Sequence, residues 1–575
     1  MRNARNRQHS LPNVRKLTII AQDPAIRRNG RIVTTEVEVP AEELLPGPCG
    51  YRVNVIDYDA SANRLYEPLQ FRPLTNGTYH DPYRRTSRSR DSDLLDDPRF
   101  HAQNVYAIVM RTLARFEFAL GRRAPWGSDG HQLHVAPHAF AEANAFYSRE
   151  DRSLFFGYFT GRSGAPVFTC LSHDVVAHET THAILDGLRK RYLEPSSPDQ
   201  AAFHEGFADV VALLSVFSLT DVVAALLSPR GSAGATTIDQ RHLTRRSLER
   251  SVLFGLADQM GSELSVARGE ALRRSITLKK GESYDRMPEF EEEHRRGELI
   301  VAAMMNAFLD IWVARLRKLG TVARGRKDLS LVVEEGARVA QHLLTIAIRA
   351  IDYAPPTDLT FSDYLSALLT VDREVVPDDT KYDYRGALLA NFRAYGMSQA
   401  SGTDSDGSWR RFDKPLVYGR SHFDSMLRDK EEVFRFVWEN RDALDVHKLG
   451  YVEVQSIRPS SRIGPDGFVL RETIAEYIEI LTLTAAEIET ELGIATPREI
   501  PRWRRVRIFG GGTLVFDEYG QLKYQISNRL RDVERQKRRL DYLAESGFFD
   551  QPPPAPPPSP AQSRFARLHL ARATR

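Results

Sequence analysis

An α+β fold is what this sequence predicts, and three observations predict it. Alternating β-branched and polar residues fill Lys16-Leu-Thr-Ile-Ile-Ala, Val33-Thr-Thr-Glu-Val-Glu-Val and Tyr51-Arg-Val-Asn-Val-Ile, the period of strands with one buried face. Apolar residues at helical spacing dominate from Val105 to Leu120 and again beyond Leu171. Short strand-like runs, Gln132-Leu-His-Val and Ser153-Leu-Phe-Phe-Gly-Tyr-Phe, lie between those helical stretches. Strands and helices are thus partly segregated, unlike the strict alternation of a parallel α/β fold.

A chain of 575 residues exceeds one hydrophobic core, and at ~150 residues per domain it reads as roughly four modules. Residues 1–95 are read as a β-rich N-terminal module, with a polar linker over residues 74–98. Residues 96–400 form a helix-rich central region, with helices predicted at about 171–192, 198–217, 296–318 and 330–352 and further helix within 355–400. Residues 401–525 are an accessory α/β region. It opens on the loop Ser401-Gly-Thr-Asp-Ser-Asp-Gly-Ser, continues through helices near 427–441 and 471–491, and ends in a hairpin of Arg505-Val-Arg-Ile-Phe and Thr513-Leu-Val-Phe turned at Gly510-Gly-Gly. Those glycines lack the helix and the Lys-Ser/Thr that a phosphate loop requires. Residues 526–575 hold the basic helical stretch Arg529 to Arg539 and a disordered proline-rich tail containing Pro552-Pro-Pro-Ala-Pro-Pro-Pro.

Charge and cysteine content exclude several classes. Lys and Arg number 79 against 76 Asp and Glu, a net +3, so no global field draws the chain to nucleic acid, which is not the partner expected. Cys49 and Cys170 leave at most one bridge and are read as reduced thiols. Met1 to Lys16 lacks the apolar core of a signal peptide, so a cytoplasmic protein is expected, with leaderless export left open. The apolar stretch Val210 to Leu227 is interrupted by Ser218, Thr220 and Asp221, and is expected to be two buried helices joined by a turn rather than a membrane span.

The chemistry concentrates in Asp174-Val-Val-Ala-His178-Glu179-Thr-Thr-His182-Ala-Ile-Leu-Asp186. Residues four apart on a helix differ by ~40° around its axis, so His178 and His182 share a face and can share one metal ion. Zinc (Zn2+) takes such imidazole ligands. Glu179 sits on the neighbouring face, within reach of a water beside the ion, as a general base. With 16 His in the chain, chance gives this His-Glu-x-x-His spacing only roughly 0.03 times. After the helix break at Pro195-Ser-Ser-Pro198-Asp a second helix carries His204-Glu205-Gly-Phe-Ala-Asp209. Folded back antiparallel, it brings Glu205 to the histidine pair as a third ligand. Asp209, on the same face, accepts the second ring proton of a ligating histidine. Three ligands leave one position for water, the mark of a catalytic site. His131, His134 and His138 are close in sequence, but strand alternation and Pro137 separate them, and no second metal site is expected there.

These segments resemble the thermolysin-like zinc metallopeptidases of the gluzincin group, residue by residue over the His-Glu-x-x-His helix and Glu205-Gly-Phe-Ala-Asp209. The resemblance covers about residues 130–320. It implies a thermolysin-like catalytic core within residues 96–400, a mixed β/α lobe followed by a helical lobe, in which a peptide or protein substrate is cleaved. Asn144-Ala145-Phe-Tyr and the strand from Leu154 resemble the segment and edge strand that hold an extended peptide. Arg273, in Glu270-Ala-Leu-Arg-Arg, stands where the family binds a substrate carbonyl. His294 stands where it has a transition-state histidine, and Tyr192, one residue short in spacing, stands near its oxyanion tyrosine. Val216 replaces the calcium-binding glutamate, so the family's paired calcium site is not expected.

The resulting expectation is a zinc metalloendopeptidase in which Glu179 and His294 are catalytic. Two alternatives stand beside it. A zinc aminopeptidase would use the same ligands, although the Gly-x-Met-Glu-Asn signature of that group is absent. An inactive zinc-bound scaffold would use the flanking regions to bind a partner, although it would have no need of Glu179.

Overall fold

Two buried amides on a long helix fix the N-terminal strands. β1 (Val14–Ile20) and β2 (Thr34–Pro40) pair antiparallel, and α1 (Pro98–Leu120) lies against them. Asn104 of α1 accepts from the Ile20 N–H at 2.9 Å and donates to the Cys170 carbonyl at 2.9 Å, while Gln103 donates to the Thr18 carbonyl at 3.0 Å. Leu17, Ile19, Val37 and Val39 join one core with α1 and the central helices. The N-terminal strands thus pack as a wall against the central body and share its core.

The computed structural model describes residues 13–549 except 26, 29, 73–78, 128–129, 162–163, 228–234, 255–271, 273, 282, 285–286, 324, 378, 380, 464–466 and 468, together with Phe565, Ala566, Leu568 and His569. The fold is mixed α+β. β3 (Val53–Val55) runs parallel to β4 (Leu133–Phe140), and β4 parallel to β6 (Ser153–Thr160). β5 (Ala145–Ser148) and β7 (Pro166–Phe168) both pair antiparallel with β6. The strand from Leu154, expected at an edge, is interior; among the described residues β5 pairs with β6 alone and so leaves one edge open, as β3 and β7 do at the ends of the sheet.

The helices are α2 (His173–Leu188), α3 (Pro198–Phe217), α4 (Thr220–Leu227), α5 (Glu293–Lys318), α6 (Leu329–Arg349), α7 (Phe361–Val375) and α8 (Tyr384–Arg393). Ser197 caps α3, its hydroxyl accepting from the Gln200 N–H at 3.1 Å, with Pro198 in the first turn. The chain bends by 79° between α3 and α4, where Ser218 donates to the Ser215 carbonyl at 2.6 Å. Among the described residues α5 alone is a single helix long and apolar enough to cross a membrane, and 83% of its apolar window is buried in the molecule. It crosses α3 where Gly206 meets Gly297. A Cβ on Gly206 would lie 2.8 Å from the Gly297 carbonyl oxygen, so only glycine permits this approach.

The C-terminal half holds α9 (Lys430–Glu439), β8 (Tyr451–Ile463), β9 (Val469–Thr484), α10 (Ala485–Leu492), β10 (Arg505–Phe516), β11 (Leu522–Asn528) and α11 (Val533–Glu545). Strands β8 to β11 form one antiparallel sheet in sequence order. Two expectations are corrected here. The helix expected over 471–491 is mostly β9: Glu472 and Glu476 mimic a helical spacing, but Thr473, Ile474, Tyr477, Ile478, Ile480 and Thr482 are strand formers. The expected turn at Gly510-Gly-Gly lies inside the continuous strand β10. Gly511, at φ 142°, passes so close to β9 that a Cβ would lie 2.3 Å from the Tyr477 carbonyl.

The sheet is bound to the helical body by buried ion pairs. Arg189 at the end of α2 meets Glu476 at 2.5 Å, Asp352 meets Arg122 at 2.6 Å and Arg462 at 2.5 Å, and Arg458 donates to the Leu188 carbonyl at 2.7 Å. The basic helix α11 is also docked, with Arg539 on Asp358 at 2.8 Å and Arg535 on Asp363 at 3.2 Å. Residues 550–564, with the proline run, lie outside the described residues, but the expectation of a tail disordered to 575 is corrected by the four residues that follow. Phe565, Ala566 and His569 are buried, and Leu568 is half-buried.

Candidate metal centre

Helix α2 presents its histidines as the spacing requires, with the Nε2 atoms of His178 and His182 2.9 Å apart. Thr180 and Thr181 are tolerated between them in a wholly buried helix because each hydroxyl donates to the carbonyl four residues back, Val176 and Ala177. Helix α3 brings in Glu205, with Oε2 3.4 Å from His178 Nε2 and Oε1 3.5 Å from His182 Nε2. The outer ring nitrogens are held as well. Asp209 Oδ1 lies 2.8 Å from His178 Nδ1, and His204 Nδ1 lies 3.3 Å from His182 Nδ1.

The donor set fits a metal ion. Tetrahedral bonds of ~2.05 Å place ligand atoms about 3.3 Å apart, close to the separations found here. Both Glu205 oxygens are buried and receive no hydrogen bond, an expensive state for a carboxylate unless a cation sits among these groups. Burial, against the pull of Glu205, keeps the His182 ring neutral, the form that binds metal. Glu179 is fully buried beside the pair.

His294, in the first turn of α5, reaches the same place, its Nε2 3.4 Å from Glu205 Oε2. Its Nδ1–H donates to Glu292 at 3.0 Å, which fixes the ring with Nε2 inward. Burial works to raise the Glu292 carboxyl, but the hydrogen bond and charge of His294 bring it down to about 2. Asn144 and Ala145 lie on the same side: the Asn144 amide donates to the Ala566 carbonyl at 3.1 Å, and the Ala145 carbonyl accepts from His569 Nδ1 at 2.7 Å. Tyr192 is a correction. Its ring is fully buried against Phe203 and its hydroxyl donates to the Pro355 carbonyl at 2.6 Å, which leaves no free phenol for an oxyanion. Arg273 lies outside the described residues.

Three participants escaped the sequence reading. His569 stands with His178, His182 and Glu205 in one group of ligand atoms lying within 4.8 Å of one another. Phe565 stacks on His182 at 4.1 Å between ring centroids. The signal for both was the spacing of four between Phe565 and His569, which puts them on one helical face. His204 was visible beside Glu205, but nothing in sequence shows that it meets His182.

A second buried group joins His101, His138 and Cys170. Its ring nitrogens are already engaged, since His138 bridges Asp57 at 2.9 Å and His101 at 2.8 Å, and His101 reaches the Leu95 carbonyl at 2.9 Å. It is a hydrogen-bonded chain rather than a waiting ligand set. His131 stacks on Tyr51, away from His138. Comparison of the whole chain with protein-family models and with curated proteins gives no match.

Proposed function

We propose that this chain is a zinc-dependent peptidase with a thermolysin-like core, the β4–β7 lobe and the helical lobe meeting at α2. The observation that carries the reading is the convergence of His178, His182 and Glu205 with Glu179 buried beside them. Zinc held by those three ligands would supply Lewis acidity toward water and a peptide carbonyl. Glu179 takes the proton of the attacking water and returns it to the leaving amine. His294 donates from Nε2 to the carbonyl oxygen as charge develops there. Asn144 and the β5 edge hold the substrate backbone by strand-like hydrogen bonds.

A second reading, a structural zinc site without turnover, draws on His569, because four protein ligands are typical of structural zinc. Metal analysis and a mixed peptide library, with and without chelator, test the choice. One zinc per chain, lost in His178→Ala, is expected. So is chelator-sensitive hydrolysis that falls by about 10²–10⁴ in Glu179→Gln with zinc retained. Near-normal hydrolysis by Glu179→Gln would sink the assignment of the base.

A further inference from the structure

Phe565, Ala566, Leu568 and His569 lie where the proposed peptidase would receive its substrate. Three contacts place them there. The Ala566 carbonyl takes the Asn144 amide at 3.1 Å, so the peptide-holding side chain is already holding a peptide. His569 Nδ1–H donates to the Ala145 carbonyl at 2.7 Å, using the acceptor that the β5 edge offers. Phe565 stacks on His182 and sits 5.6 Å from the His204 ring, with Ala566 buried beside it.

The His569 tautomer decides what its other nitrogen does. With the proton on Nδ1 bound to a backbone carbonyl, Nε2 carries the lone pair, the arrangement found in metal-ligating histidines. That Nε2 lies 3.4 Å from Glu205 Oε2, the same separation as His178 Nε2.

Resting on the peptidase reading, we propose that His569 is a fourth, self-supplied metal ligand and that its segment fills the substrate groove, so that the folded chain is latent. Water then has no open coordination position, and Glu179 has no substrate to serve. Activation is displacement of this segment, with no new fold required. A ligand tethered in the same chain acts at on the order of millimolar effective concentration, so an intrinsic affinity of about 10 μM leaves roughly one molecule in a hundred open.

The test uses the zinc-loaded full chain. Zinc X-ray absorption is expected to count three imidazoles in the parent and two in His569→Ala, with zinc stoichiometry unchanged. Hydrolysis of the peptide mixture is expected to rise about 100-fold in His569→Ala, following the closed fraction estimated above. A synthetic peptide of residues 564–570 added to that variant should restore inhibition, and the same peptide with alanine for its histidine should not. Phe565→Ala, which keeps the imidazole and removes the stacking, should raise hydrolysis in the same direction and guards against misfolding of the first variant.

Two imidazoles in the parent, or unchanged hydrolysis in both variants while Glu179→Gln still abolishes it, would overturn the proposal and leave the peptidase reading standing. A fall from three imidazoles to two with no hydrolysis in any variant would uphold the ligand, overturn latency and favour the structural-zinc reading.

Discussion

Gly206 on α3 and Gly297 on α5 meet backbone against backbone, and this contact sets His294 over Glu205. A Cβ at Gly206 has no flexible side chain to push aside, only the Gly297 main chain. Gly206→Val should therefore cost about 1–3 kcal/mol or more by overpacking. It should also weaken metal binding, since Glu205 is the adjacent residue. Urea unfolding and zinc titration would check both, and a variant as stable as the parent would show that the crossing has slack.

Asp209→Ala should keep the fold and reduce metal affinity by about 10–100-fold, because His178 loses the acceptor that fixes its ring. Competition with a chromogenic chelator gives the measurement. Equal affinity would mean that helix packing alone orients the imidazole.

Asp372 makes stability depend on pH near neutrality. Burial and Asp379 push its carboxyl up to about 7, against the opposing charge of Arg385. A folded-state value above the unfolded one favours the neutral acid on folding. Its contribution is present below about pH 4, fades as pH rises, and is lost above about 7. Between about pH 4 and 7, the Tm of Asp372→Asn, which mimics the neutral acid, should fall less than that of the parent. Parallel Tm curves for the two proteins would remove Asp372 from the account.

Arg189→Met should destabilise by about 3–5 kcal/mol, since it removes one partner of a buried pair with Glu476 and a donor to the Ile351 carbonyl. Equilibrium unfolding would show it. A loss below about 1 kcal/mol would mean that Arg458 alone satisfies Glu476.

The meeting of His178, His182 and Glu205 could be read from the chain because each position depends on local periodicity: a spacing of four on α2 and a capped restart at Ser197. Periodicity also located α1 and the strands β3, β4 and β6, but not β5 or β7. It failed where a different force decides. The glycines of β10 reflect the nearness of β9, a fact of packing, and the carboxylates of β9 gave a helical rhythm to a strand whose register is set by its neighbours. His569 was hidden because its partners lie hundreds of positions away, and no local pattern encodes such a meeting.

Glu476 of the C-terminal sheet neutralises Arg189 of the helical body, and Arg462 of that sheet neutralises Asp352, inside the molecule where water cannot take their place. Exchanging this sheet for an unrelated one would require the replacement to carry an acidic side chain for Arg189 and a basic one for Asp352 at the same points in space. The two halves of the chain are thus obliged to change together, and a gene fragment ending after the helical body would inherit an unbalanced interior.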